Sequence, residues 1–192
     1  MVTYSANQYP GVLLAGGPFA TAFLAIEQRL KELFDPAVYT HAVIPPRASV
    51  RDWENLTKRM PMVALGWMAC RPSDRSSDIF RGDAQFALIL LTRQNAGRDA
   101  YFGDGTLPGV MGLASVAAMG LHAFHVEGIG SCRVQVLATA GEQDWIPDGV
   151  ASVQLQITIP EVAFGSPELL EQLDTLKRLS STFVDSETGE TL

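Results

Sequence analysis

Charged side chains are scarce in this 192-residue sequence, at 18% of residues against roughly 25% in an ordinary soluble domain. Bases are the scarcer sign: 14 Lys and Arg face 21 Asp and Glu, for a net charge of −7. The bases are dispersed along the chain, and tight binding to a phosphate backbone needs them clustered. Nucleic acid is therefore not expected as a direct ligand. Cysteine is almost absent. Cys70 and Cys132 are too few for a disulfide scaffold and lack the CxxC spacing of a redox or zinc site. They are expected to be two buried thiols in a reducing cytosol. No apolar run approaches the ~20 residues of a membrane span. Residues 1–10 lack the basic start of a secretory signal, so synthesis in the cytoplasm without membrane association is expected.

Motifs of catalysis are also missing. No G-x-S-x-G elbow announces a nucleophile. Only three histidines exist, His41, His122 and His125. The last two stand three apart, a spacing compatible with one metal, but no third ligand follows at a zinc-site spacing. They are read as surface or interface histidines. Gly128-Ile129-Gly130-Ser131 and Gly103-Asp104-Gly105 resemble pieces of phosphate loops, yet neither completes G-x-G-x-x-G or leads to a P-loop lysine. They are read as turn glycines. Gly16-Gly17 ahead of a helix is a generic anion-favouring feature. Arg81-Gly82-Asp83, just ahead of an expected strand, is read as a chance tripeptide. No catalytic, cofactor-binding or metal-binding residue is assigned, and no cofactor is expected.

What is present is core-forming side chain, 47% of residues. After an extended lead (1–17), Phe19, Phe23, Ile26, Leu30 and Leu33 recur at helical steps, and Pro36 stops the pattern. Val38–Ile44 reads as a strand. Ser49 with Asp52 reads as a capping box opening a short helix with Trp53, Leu56 and Met60 inward. Met62–Cys70 and Ala84–Thr92 are apolar on both faces, which predicts strands buried on both sides. Arg71–Asp78 and Asn95–Pro108 read as polar loops and as contact segments. Pro108, taken as a first-turn proline, opens a helix to Leu121 with Val110, Ala114, Ala117 and Leu121 inward. Arg133–Thr139 is a strand. In Ala151–Ile159, Val153, Leu155, Ile157 and Ile159 alternate with Ser152, Gln154, Gln156 and Thr158, predicting a strand at the sheet margin with one wet face. Beyond Gly165, Ser166-Pro167-Glu168 starts a helix with an apolar stripe of Leu169, Leu173, Leu176 and Phe183. Residues 161–192 hold seven acids against Lys177 and Arg178.

The order of these pieces carries a resemblance. FATAFLAIEQRLKELF (19–34), PMVALGW (61–67), FALILLTRQN (86–95), PGVMGLASVAAMGLHAF (108–124) and ASVQLQITI (151–159) together resemble the tail terminator proteins of Mu-like bacteriophages. The likeness spans roughly residues 19–164, and its most specific part is the strand ending Thr92-Arg93-Gln94-Asn95 with the helix that follows. The lead and the acidic C-terminal segment depart from the family. The resemblance implies an α/β (α+β) fold, a mixed central sheet flanked by helices. It also implies a homo-oligomeric, commonly hexameric ring that caps the tail tube and joins it to the head connector, without chemistry of its own. Its partners would be its own copies, the tail tube protein and a head-completion or connector protein, with DNA only passing through the lumen. The protein would reside in the virion, at the head–tail junction.

The expected division is an extended lead at 1–17, an α/β domain at 18–165, and an acidic C-terminal helix and tail at 166–192. A low charge fraction and the small residues of 108–121, which permit close backbone approach, agree with a subunit buried in an assembly. The alternative is a small-molecule-binding or enzymatic α/β protein whose site is assembled from distant residues.

Overall fold

The computed structural model describes residues 15–74, 79–94, 97–139 and 149–165. Helix α1 (Gly17–Leu33) leads to strand β1 (Thr40–Val43), helix α2 (Val50–Thr57), and strands β2 (Met62–Pro72) and β3 (Arg81–Arg93). A short helix α3 (Arg98–Phe102) and helix α4 (Val110–Leu121) follow. Next come β4 (His125–Val126), β5 (Gly130–Ser131), β6 (Arg133–Thr139) and β7 (Val150–Ala163). Five strands form one sheet in the order β1-β2-β3-β7-β6, with β4 and β5 a separate hairpin. β1 runs parallel to β2, and the other neighbours in the large sheet are antiparallel. The architecture is a mixed sheet flanked by helices, as expected.

Alternation builds the main core. Val63 and Leu65 of β2, Phe86, Leu88 and Leu90 of β3, and Val153, Leu155, Ile157 and Ile159 of β7 lie on one face and are buried. Ala22, Ile26 and Leu30 of α1 and Leu113, Ala117 and Leu121 of α4 cover that face. The two helices meet closely at Gly120, where a Cβ would stand 2.5 Å from Leu33 Cδ2. Across the sheet, Met62, Ala64, Ile89 and Leu91 form a smaller cluster under Trp53, Leu56 and Met60. The Ser49–Asp52 capping box forms: Ser49 Oγ accepts from Asp52 N, and Asp52 Oδ2 accepts from Ser49 N. Ser49 Oγ and Ser49 N both donate to the Asp52 carboxyl and hold it below its usual range.

Several expectations need correction. β1 is shorter than Val38–Ile44, because Val38 sits in a turn, its amide bonded to Asp35 O. β2 is buried on both faces only through Gly66; Trp67 and Met68 are exposed. Arg71 and Pro72 belong to β2, paired with Asp83 and Gly82, so the loop at 71–78 is narrower than read. The Arg-Gly-Asp tripeptide lies inside β3, where Gly82 gives room for Cys70 Sγ. The connection at 95–108 contains α3, and Gly109, not Pro108, caps α4. β7 is not at the margin but between β3 and β6. Its polar face is not uniformly wet: Ser152 and Thr158 are buried, and Thr158 Oγ1 donates to Gln135 Oε1 at 3.0 Å. The sheet edges are β1 and β6. The expected C-terminal helix at 166–192 and most of the lead lie outside the described residues.

Two measurements probe this packing. Cys132 is buried and Cys70 only half-buried, which corrects the expectation of two buried thiols. Burial pushes the Cys132 thiol up to about 11, so its thiolate is rare at neutral pH. A thiol-titrating disulfide reagent is expected to count one fast-reacting cysteine in native protein and two after denaturation. Two fast thiols in native protein would contradict this packing. Thr92, in the strand end most specific to the resemblance, is fully buried, and its hydroxyl has no hydrogen-bond partner among the described residues. Thr92→Val keeps the shape and removes an unsatisfied polar atom, so stability should rise by about 1 kcal/mol. A lower thermal midpoint would show the hydroxyl to be satisfied in solution.

Candidate assembly surface

The expected sites do not converge into a catalytic centre. His41 Nε2 donates to Phe34 O at 2.8 Å, tying the end of α1 to β1. His122 Nδ1 accepts from Val134 N at 3.3 Å, joining the end of α4 to β6. His125 Nδ1 lies 3.2 Å from Ser131 Oγ across the small hairpin, at an exposed position. No described carboxylate is hydrogen-bonded to that imidazole, so the described residues supply no third member of a catalytic triad. Among the described residues, no group of three or more His, Cys, Asp or Glu is placed to hold a metal. Gly128 and Gly130 have positive φ in the β4–β5 turn. Gly103 and Gly105 flank Asp104, whose Oδ1 accepts from Thr106 N and Leu107 N and is held below its usual pKa by those bonds. These are turn devices, as read. No described helix is long and apolar enough to cross a membrane.

The surface feature that stands out is apolar. On α3 and α4, Phe102 is 63% exposed, Met111 52% and Met119 75%. Across from them on β6, Leu137 is 48% exposed. Between α4 and β6 runs a groove of about 650 Å³, whose walls include Tyr101, Met111, Ala118, Met119, Leu137 and Ala138. Among the described residues, no charged side chain lines it. A monomer seldom leaves a continuous apolar patch of this kind in water.

β6 adds a second element. It pairs with β7 on one side, and no described strand pairs with its other edge. Natural edges are commonly blunted by lysine, proline or inward charge. β6 has no lysine or proline, and its one charge, Arg133, is at its start. Apart from Val134 N, which donates to His122, this edge has no described strand partner and lies beside an apolar groove, the combination that strand addition by another chain requires.

The sequence explains how the groove is held open. Gly109 packs so tightly on the end of α3 that a Cβ there would stand 2.5 Å from Tyr101 O and 2.6 Å from Gly103 N. Gln94 Nε2 donates to Leu107 O at 3.1 Å and anchors the same loop from β3. The connection read as a contact segment is therefore fixed against the body while presenting Tyr101 and Phe102 outward. Gly109→Ala is expected to displace α3 and cost about 1–3 kcal/mol, as overpacking does. Its check is a lowered thermal midpoint together with faster amide exchange at 98–107. Unchanged exchange there would mean that α3 is not seated by this contact. The groove itself was not legible beforehand, because α4 is apolar or small all the way round and shows no outward face.

Comparison with protein-family models and with curated proteins gave no match. Among solved structures, the chain is similar to a chain in the virion of a native gene transfer agent (GTA) particle. The TM-score is 0.44 at 11% identity, over 73% of this chain and 93% of the other.

Proposed function

We propose that the protein is a structural bacteriophage tail terminator, a non-catalytic subunit whose copies close into a ring, six in number. The ring caps the tail tube and joins it to the head connector, so its partners are its own copies, the tube protein and a connector or head-completion protein. The observation that carries this is the apolar groove, free of charge among the described residues, beside the edge of β6 that no described strand pairs, a surface suited to meet another chain. A ring needs two different contact surfaces on opposite sides of each subunit. β1 and β6 are opposite edges of the sheet, so one subunit can present β6 while its neighbour receives it elsewhere. The net charge of −7 suits a lumen that DNA crosses without adhering. On this reading residues 18–165 form the ring-building domain, and the protein resides at the head–tail junction after synthesis in the host cytoplasm.

The test is electron microscopy of tail tubes mixed with the purified protein. The expected image is an annular density at one tube end, absent when the protein is omitted. Tubes with bare ends at saturating protein would contradict the assignment. The groove volume also falls within the range of small-molecule sites, which favours the second reading, a ligand-binding protein. Such sites orient a ligand with a few convergent polar groups. Here Ser115, one of the few polar side chains, already spends its hydroxyl on Met111 O at 2.7 Å.

A further inference from the structure

The two faces of the sheet are covered unequally. α1 and α4, of 17 and 12 residues, lie on the main core. Among the described helices only α2, of 8 residues, lies on the second face, where it covers Met62, Ala64, Ile89 and Leu91. Gln85 and Thr158 pair with each other farther along that face, and they are only 6% and 1% exposed. The other strand neighbour of Gln85 is Ala69. Neither Ala69 nor Thr158 is large enough to roof a glutamine side chain. α2 is about 12 Å long and sits on Ile89, four residues or about 13 Å along the strand from Gln85. Glutamine is seldom this dry without something above it.

We propose that residues 167–183 of the same chain form a helix that lies across this second face, end to end with α2. β7 delivers the chain to the right place. Val162 and Phe164 turn to the main core, so alternation turns Gly165 to the second face. There Gly165 packs on Ile79, with room for no side chain: a Cβ would stand 2.6 Å from Ile79 Cγ2. Ser166 and Pro167 follow as a helix cap and a first-turn proline. Leu169, Leu173, Leu176 and Phe183 supply the apolar stripe that such a face requires. The chain ahead of α1 enters on the other face, where Phe19 meets Trp67 and Phe164.

The lengths agree. Gly165 lies level with Ile79, ten residues or about 33 Å from Ile89. A helix from Pro167 to Phe183 spans about 24 Å, and the two steps from Gly165 to Pro167 add up to ~7 Å. Leu173 and Leu176 then lie over Gln85 and Thr158, and Phe183 arrives over Ala87 and Ile89 beside α2. The same short tether selects this chain over a second copy as the occupant. It holds the segment at the face at a local concentration on the order of millimolar. The placement does not depend on ring formation, and it leaves the α4–β6 groove open to neighbours.

Methyl-resolved NMR of the full-length protein tests this. Nuclear Overhauser contacts are read first in labelled protein, then in a mixture of labelled and unlabelled chains filtered for intermolecular contacts. Expected are contacts from the Leu173 and Leu176 methyls to the Thr158 methyl, and from the Phe183 ring to Ala87 or Ile89. All of them should be absent from the filtered spectrum. Their presence there would give the cover to a second copy and overturn the proposal. Contacts from these leucines to Leu24 of α1 or Val116 of α4 instead, or to no strand at all, would overturn it too. A Leu173→Ser, Leu176→Ser variant is expected to shift the Ala87 and Thr158 methyl resonances. Those of Ala22 and Ala117, buried in the main core, should stay in place. Ala87 and Thr158 resonances identical to wild type would also count against the placement.

Discussion

A Met119→Glu, Leu137→Glu double variant is expected to remain folded and to lose self-assembly. Both side chains are about half exposed or more, so in the monomer their replacement removes little buried surface. Surface changes of this kind typically move stability by less than ~0.5 kcal/mol. In an assembled ring each would be covered, and burial of a large apolar side chain is worth about 1.5–3 kcal/mol. Losing both, and placing two carboxylates in a groove whose described lining carries no charge, should weaken each contact by roughly 3–6 kcal/mol. At a factor of ten for every 1.4 kcal/mol, that is a loss of about 10²- to 10⁴-fold per interface. Sedimentation should show monomer at concentrations where the wild-type protein assembles, with an unchanged thermal midpoint. Assembly equal to wild type would remove the α4–β6 groove from the interface.

Phe86→Ala is expected to have the opposite profile, a collapse of stability that precedes any question of assembly. Phe86 is fully buried at the centre of β3, paired with Trp67 of β2 on one side and Ile157 of β7 on the other. Its ring lies 6.4 Å from that of Phe23 on α1, so it ties the sheet to its covering helix. Truncating such a residue removes its transfer energy and leaves a cavity, together about 3–5 kcal/mol. Against a typical total of about 5–15 kcal/mol, this variant should melt roughly 6–20 °C lower, at about 2–4 °C per kcal/mol for a chain of this size. A shift of only a degree or two would mean that β3 is not the centre of the core.

What was legible in the sequence follows from what each segment's neighbours demand of it. β3 was read from Ala84 to Thr92, most of Arg81–Arg93, because a strand covered on both faces is apolar almost throughout, as Ala84–Leu91 is apart from Gln85. α2 was read from Ser49 and Asp52 because a capping box is a local contract that needs no tertiary information. β6 was located at its true bounds, yet its position as an open edge was not visible, since pairing partners are a long-range property. β7 misled for a physical reason. Its alternation looks like one buried and one wet face, but Ser152 and Thr158 are small enough to be buried. Thr158 satisfies its hydroxyl on Gln135 of the neighbouring strand. The groove between α4 and β6 was invisible for lack of contrast, since Met111 and Met119 sit among residues as apolar as those facing the core.

The central claim is that this chain is a subunit of a closed, finite assembly. Native mass measurement of the full-length protein across a concentration series, alone and with tail tubes, addresses it most directly. The account predicts one discrete species at six times the 20.7 kDa chain mass, in solution or on the tubes, and no open-ended series of larger oligomers. Monomer alone at every concentration, with and without tubes, would contradict it.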